Sequence, residues 1–114
     1  MALLTLVRFS AMSEYTEDIA KYTASVDEAA VAGIVKHLGI ALRSKDASLV
    51  SCSDQSELDR VRESWLQRKL GLTGDDLDAS IKGVCDQMKG DNTKHRVTLY
   101  YLLAEKHGKL GALA

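Results

Sequence analysis

A chain of 114 residues, 46% hydrophobic, 27% charged and without proline, has the length of one domain and apolar material for one core. Its formal net charge of −1 excludes the global basic excess by which proteins hold nucleic acid through phosphate neutralisation. The two cysteines, Cys52 and Cys85, occur without a convincing secretory signal and therefore read as reduced thiols in a reducing compartment, the cytoplasm.

The apolar opening, residues 1–11, has about half the length of a membrane span and no cationic lead, so it is expected neither to cross a membrane nor to direct export. Met12, followed by Ser13 and an acidic amphipathic stretch, reads as the native start. Residues 1–11 are accordingly expected to be a non-native or disordered extension, and 12–114 a single helical domain.

Five segments carry helical period. Ser13 to Thr23 places Tyr15, Ile19 and Tyr22 on one inward face and pairs Glu17 with Lys21 at i, i+4 on the other. Ser25 and Glu28 have capping-box spacing for a second helix, which runs to Leu38 and stops at Gly39. The run Ala29 to Val35 is apolar nearly all round, so this helix is expected to be the buried centre of the fold. Residues 40–53 lose the period and read as an ordered connection, with a short turn after Asp46.

Asp54, three residues before Glu57, caps the third helix, whose Leu58, Val61, Trp65, Leu66 and Leu70 form one stripe ending at Gly71. Thr73 is the expected cap of the fourth, with Asp75, Asp76 and Asp78 at its positive end and Leu77, Ile81, Val84, Cys85 and Met88 facing inward until Gly90. Asp91 or Asn92 is expected to cap the fifth, which carries Val97, Tyr100, Tyr101 and Ala104 on one face and ends at Gly108. Lys109 to Ala114 is expected to fray. With no lasting strand alternation, the fold class is all-α: a compact single domain of about five helices.

Chemistry is sparse. His37, His95 and His107 stand alone without a CxxC or HxxxH partner, so no metal site and no cofactor are expected. Cys52, just ahead of a helix N-terminus, is the single candidate nucleophile, because the helix dipole and free backbone N–H groups there favour a thiolate. Cys85 lies on an apolar stripe, where a thiol acts as a small hydrophobe. Arg60, Arg62, Arg68 and Lys69 alternate with Asp59 and Glu63 as a solvated, self-compensated face, and Trp65 reads first as a core anchor and second as an interface residue.

Charge is unevenly spread: residues 13–31 carry one lysine against five acids, and residues 89–114 five basic residues against two acids. This asymmetry reads first as attraction between the first and last helices. Its functional alternative is a basic face made of Lys89, Lys94, His95 and Arg96, with Tyr100 nearby, for an anionic partner.

Three stretches carry a resemblance: Val26-Asp27-Glu28-Ala29-Ala30-Val31; Gly39-Ile40-Ala41-Leu42-Arg43 followed by Leu49-Val50-Ser51-Cys52-Ser53-Asp54; and Tyr100-Tyr101-Leu102-Leu103-Ala104-Glu105-Lys106. In this order, over about Met12 to Leu110, they resemble a family of small bacterial proteins known as domain of unknown function 2853. The resemblance implies a compact helical fold in a bacterial cytoplasm and supports Met12 as the start. It carries over no activity, cofactor or catalytic residue.

The function expected from these residues is a non-enzymatic module acting through a protein partner or through self-association. Anion or nucleic-acid binding through residues 89–96 is the first alternative, and thiol-dependent activity at Cys52 the second.

Overall fold

The protein's structure, a computed structural model, describes residues 14–39, 42, 48–91 and 94–113. The readings of residues 1–11, of Met12 as the start, and of a turn after Asp46 lie outside the described residues. Among the described residues the fold is all-α, with five helices. They are α1 (14–19), α2 (Glu28–Leu38), α3 (Gln55–Arg60, continued by a π-helical stretch, Val61–Lys69), α4 (Leu77–Gln87) and α5 (Arg96–Lys106). No helix is long and apolar enough to cross a membrane among the described residues.

The centre of the fold is α5. Every residue from Arg96 to Ala104 is buried, because α2, α4 and the π-helical stretch all pack around it. The expected central helix, α2, lies on the flank: Ala30, Val31 and Ile34 are buried, whereas Ala29 and Ala32 face out. Small residues tolerate exposure at little cost, so an alanine-rich stretch does not by itself identify a core helix.

The third segment keeps its expected cap and stripe. The Asp54 carboxylate accepts from Ser56 N at 3.0 Å, and Leu58, Val61, Trp65, Leu66 and Leu70 are all buried. From Val61 onward the backbone is wound with i→i+5 bonds, as in Leu70 N to Trp65 O at 2.9 Å. The apolar spacing suits the wider turn, since Val61, the Trp65–Leu66 pair and Leu70 recur at four to five residues. Trp65 is fully buried, stacked on the Tyr100 ring with centroids 4.5 Å apart, and its Nε1 donates to Tyr100 O at 3.1 Å. It anchors the core and takes no part in an exposed surface.

Several helix starts differ from expectation. Asp27, not Ser25, caps α2, accepting from Ala30 N at 3.2 Å. Helix α4 begins at Leu77 after Asp76, leaving Thr73 in the preceding loop. Helix α5 begins after His95, beyond Asp91, because Lys94 and His95 are first used in a short antiparallel pairing with the chain at Leu49 and Val50. Asp91 instead accepts from Lys21 Nζ and Tyr22 Oη, both at 3.3 Å.

The chain ends do meet, though not through the expected charge asymmetry. Thr98 donates to the buried Asp18 carboxylate, Tyr101 Oη accepts from Asp27 N at 2.8 Å, and Thr23 donates to Glu105 at 2.9 Å. Lys21 pairs with Asp18 at 3.0 Å rather than with Glu17. The tail is docked as well: a 3₁₀ turn, Leu110–Ala112, brings Leu113 into a buried position. A Cβ built on Gly33 would lie 2.1 Å from the Leu113 carbonyl oxygen, so glycine at that position is what admits the tail.

Candidate functional site

The short pairing before α5 also positions the site. Val50 N donates to Lys94 O at 2.9 Å, which brings Lys94 alongside the loop that carries Ser51, Cys52 and Ser53. On the opposite side, Lys82, Cys85, Asp86 and Lys89 fall at i, i+3, i+4 and i+7 along α4 and its extension. Between the two walls lies an open groove of about 620 Å³, with Cys52 and Cys85 in its lining.

The two cysteines are bonded to each other, with their Cα atoms 5.9 Å apart. The expectation of free thiols is therefore corrected, and Cys52 is not a nucleophile in this state. The argument for a reducing compartment loses the premise it drew from the cysteines. The reason lies in tertiary structure, since α3 and α4 pack side by side and place the loop ahead of α3 against the inner stripe of α4. Cys52 is half-buried and Cys85 is buried, at 8% exposure.

The predicted basic face divides. Lys89 and Lys94 line the groove, and Lys94 Nζ also donates to the Asp91 backbone carbonyl at 2.8 Å. Arg96 is turned inward: at 7% exposure it donates to Glu57 at 2.6 Å and to Leu49 O at 3.1 Å. His95 packs its ring edge-on against Tyr15, centroids 5.8 Å apart. Arg96 therefore ties α3 and the loop at Leu49 to α5, and His95 packs on α1, so the structure does not bring either into the groove lining with Lys89 and Lys94.

Sequence reasoning missed Lys82, Ser51 and Ser53. The signal for Lys82 was its helical spacing from both Cys85 and Lys89; the two serines flank Cys52 directly, their hydroxyls 3.2 Å apart. Among the described residues the groove thus gathers three ammonium groups against one carboxylate, Asp86. Among the described residues none of these lysines lies within ion-pair distance of a carboxylate. Among the described residues no three His, Cys, Asp or Glu side chains converge as metal ligands.

Of the expected self-compensated face, Arg60 pairs with Glu57 and Arg62 with Asp59 and Glu63, whereas Arg68 and Lys69 form no ion pair among the described residues. Arg62 bridges Asp59 at 3.3 Å and Asp78 at 2.8 Å, tying the π-helical stretch to α4 and accounting for one of the acids at the α4 start. His37 lies against Trp65 with centroids 5.1 Å apart, where burial and the nearby Lys69 charge lower its pKa.

The family model described as "Protein of unknown function (DUF2853)" matches residues 14–111. The chain belongs to the DUF2853 family. The match runs from α1 into the 3₁₀ turn that follows α5, so the groove and its disulfide lie inside the family region of this DUF2853 chain. No curated protein matches it.

Proposed function

We propose that the protein is a non-enzymatic binding module of the bacterial cytoplasm whose lysine-bearing groove receives an acidic segment of a partner protein. The observation that carries this reading is the gathering of Lys82, Lys89 and Lys94 around one groove whose described lining residues include one carboxylate, Asp86. Uncompensated ammonium groups lining a concave surface attract carboxylates over the range of the Debye length, and the groove volume is within the range of ordinary ligand sites. The Ser51 and Ser53 hydroxyls add donors for the same oxygens. An acidic segment is favoured over nucleic acid because the chain as a whole carries no basic excess to neutralise a phosphate backbone.

Titration of the oxidised protein with a hexaglutamate peptide, followed by amide chemical shifts, tests this reading. The shifts are expected to cluster at residues 51–53, 82–89 and 94, with affinity about fivefold weaker at 300 mM than at 50 mM salt. Shifts clustering elsewhere, or binding indifferent to salt, would overturn it.

A further inference from the structure

The disulfide joins the groove lining to the edge of the core, and the surroundings of its two sulfurs differ. Cys52, half-buried in a loop, is the sulfur an incoming reagent reaches, whereas Cys85 belongs to the buried stripe of α4. Around the bond stand Lys82, Lys89 and Lys94; among the described lining residues Asp86 is the one carboxylate, and Asp78 shares a neighbouring hollow with Lys82. A disulfide reached through its half-buried Cys52 end, with more cations than carboxylates beside it, is open to attack by a thiolate, and most of all by one bearing further negative charge.

We propose that Cys52–Cys85 is a thiol-exchange site selective for an anionic low-molecular-weight thiol, meaning one that carries carboxylates in addition to its sulfur. This inference rests on the reading of the groove as an anion acceptor. The carboxylates of the incoming thiol are held by the groove lysines while its thiolate attacks Cys52 Sγ. A new S–S bond forms between the thiol and Cys52, the Sγ–Sγ bond breaks, and the electron pair leaves on Cys85 Sγ, which takes a proton from water. A second molecule of the same thiol attacks the mixed disulfide through its own sulfur. It departs as the symmetric disulfide and leaves Cys52 as a thiolate. Two thiols are oxidised and one protein disulfide is reduced.

The fold has means to survive the break. The loop that carries Cys52 remains tied by Val50 N to Lys94 O at 2.9 Å and by Arg96 to Leu49 O at 3.1 Å. Beyond the loop, Glu57 is held by the same Arg96 at 2.6 Å, so reduction frees Ser51 to Ser53 from α4 without releasing the chain on either side, which makes the groove's shape dependent on the redox state.

The size of the selectivity follows from charge. At about 7 Å in water a unit charge changes the local concentration of a monovalent ion about threefold. Two ammonium groups in excess therefore separate anionic from cationic reagents by about tenfold after salt screening.

The test exposes the oxidised protein separately to glutathione, 2-mercaptoethanol and cysteamine, anionic, neutral and cationic respectively, and follows adducts by intact mass and peptide mapping. Each rate is divided by the rate of the same thiol on the urea-unfolded, still oxidised chain, which removes differences in intrinsic nucleophilicity. The expected result is a mixed disulfide on Cys52 with Cys85 free, and a normalised rate about tenfold higher for glutathione than for cysteamine. That ratio is expected to fall to about threefold or less in Lys82→Gln/Lys89→Gln, two exposed substitutions, and in 1 M salt. No adduct on the folded protein, an adduct on Cys85, or equal normalised rates for the three thiols would each overturn the proposal. Hexaglutamate binding by the same oxidised sample separates the two readings: binding with no selective exchange removes this inference alone, and loss of binding removes the anion-acceptor reading as well.

Discussion

Lys94 and Arg96 are two residues apart, yet Lys94 lines an open groove while Arg96 is buried with its guanidinium 2.6 Å from Glu57. His95 between them caps α5, and there the chain turns from the groove wall into the core. The outer cation is a half-buried ammonium that donates to the Asp91 carbonyl at 2.8 Å and lines the groove. The inner one is a planar, multidentate donor holding Glu57 of α3 and the carbonyl of Leu49 together. The difference teaches that a cluster of basic residues in sequence is no unit in space when a helix starts in its middle. Alternate residues of the short pairing at Leu49 and His95 face opposite sides, and α5 then buries every residue from Arg96 to Ala104.

The loop between these two cations is gripped from both sides, by the disulfide in the groove and by Arg96 within, and substitutions separate the two grips. Replacing both cysteines, Cys52→Ser with Cys85→Ser, removes a link across 33 residues and is expected to cost about 4 kcal/mol in chemical denaturation on a chain-entropy account. Folding under native conditions is expected to persist. Arg96→Ala takes the guanidinium from the Leu49 carbonyl and leaves Glu57 with only the exposed Arg60 at 3.5 Å, and is expected to cost about 3 kcal/mol by the same measurement. A cost below about 1 kcal/mol would place Arg96 with Lys94 as a surface cation and dissolve the comparison.

Smaller effects sharpen it. Gly33→Ala drives a methyl group into the Leu113 carbonyl and is expected to cost about 2 kcal/mol, with faster proteolysis of the C-terminal tail as its signature. Lys89→Ala, on the groove side, is expected to change stability by less than about 0.5 kcal/mol while weakening hexaglutamate binding several-fold. The smallest effect belongs to His37, whose pKa in the folded protein is lowered by burial and by Lys69. The unfolded chain then binds the proton more readily, so stability is full above about pH 6.5. It falls as the pH drops from there toward the folded pKa. His37→Gln is expected to flatten that part of the stability profile.

Much of the fold was legible because it rests on local pattern. The stripe Leu58, Val61, Trp65, Leu66 and Leu70 could face only inward, and Asp54 ahead of it could act only as a cap. The stops at Gly39, Gly71 and Gly108 have φ of 47°, 69° and 69°, values that glycine adopts without strain. Asp27 displaced Ser25 as a cap because it sits directly before the helix, a difference of two residues that periodicity does not resolve. The candidate site was legible only in pieces. Cys52, Lys89 and Lys94 were each visible as residues of interest, but their meeting with Lys82 and Cys85 depends on α4 lying beside the loop ahead of α3.

By itself the sequence determined that this is an all-α chain, where most of its helices lie, which faces of them are apolar, and that it belongs with the DUF2853 proteins. These are properties of spacing along one helix, set within a few turns by side-chain direction and capping. Tertiary structure alone decided that α5 and not α2 is central, that Cys52 bonds Cys85, and that the basic stretch divides at His95. Each of those depends on which apolar face packs on which. That choice is made by the fit of whole helices against one another, and no window of neighbouring residues contains it.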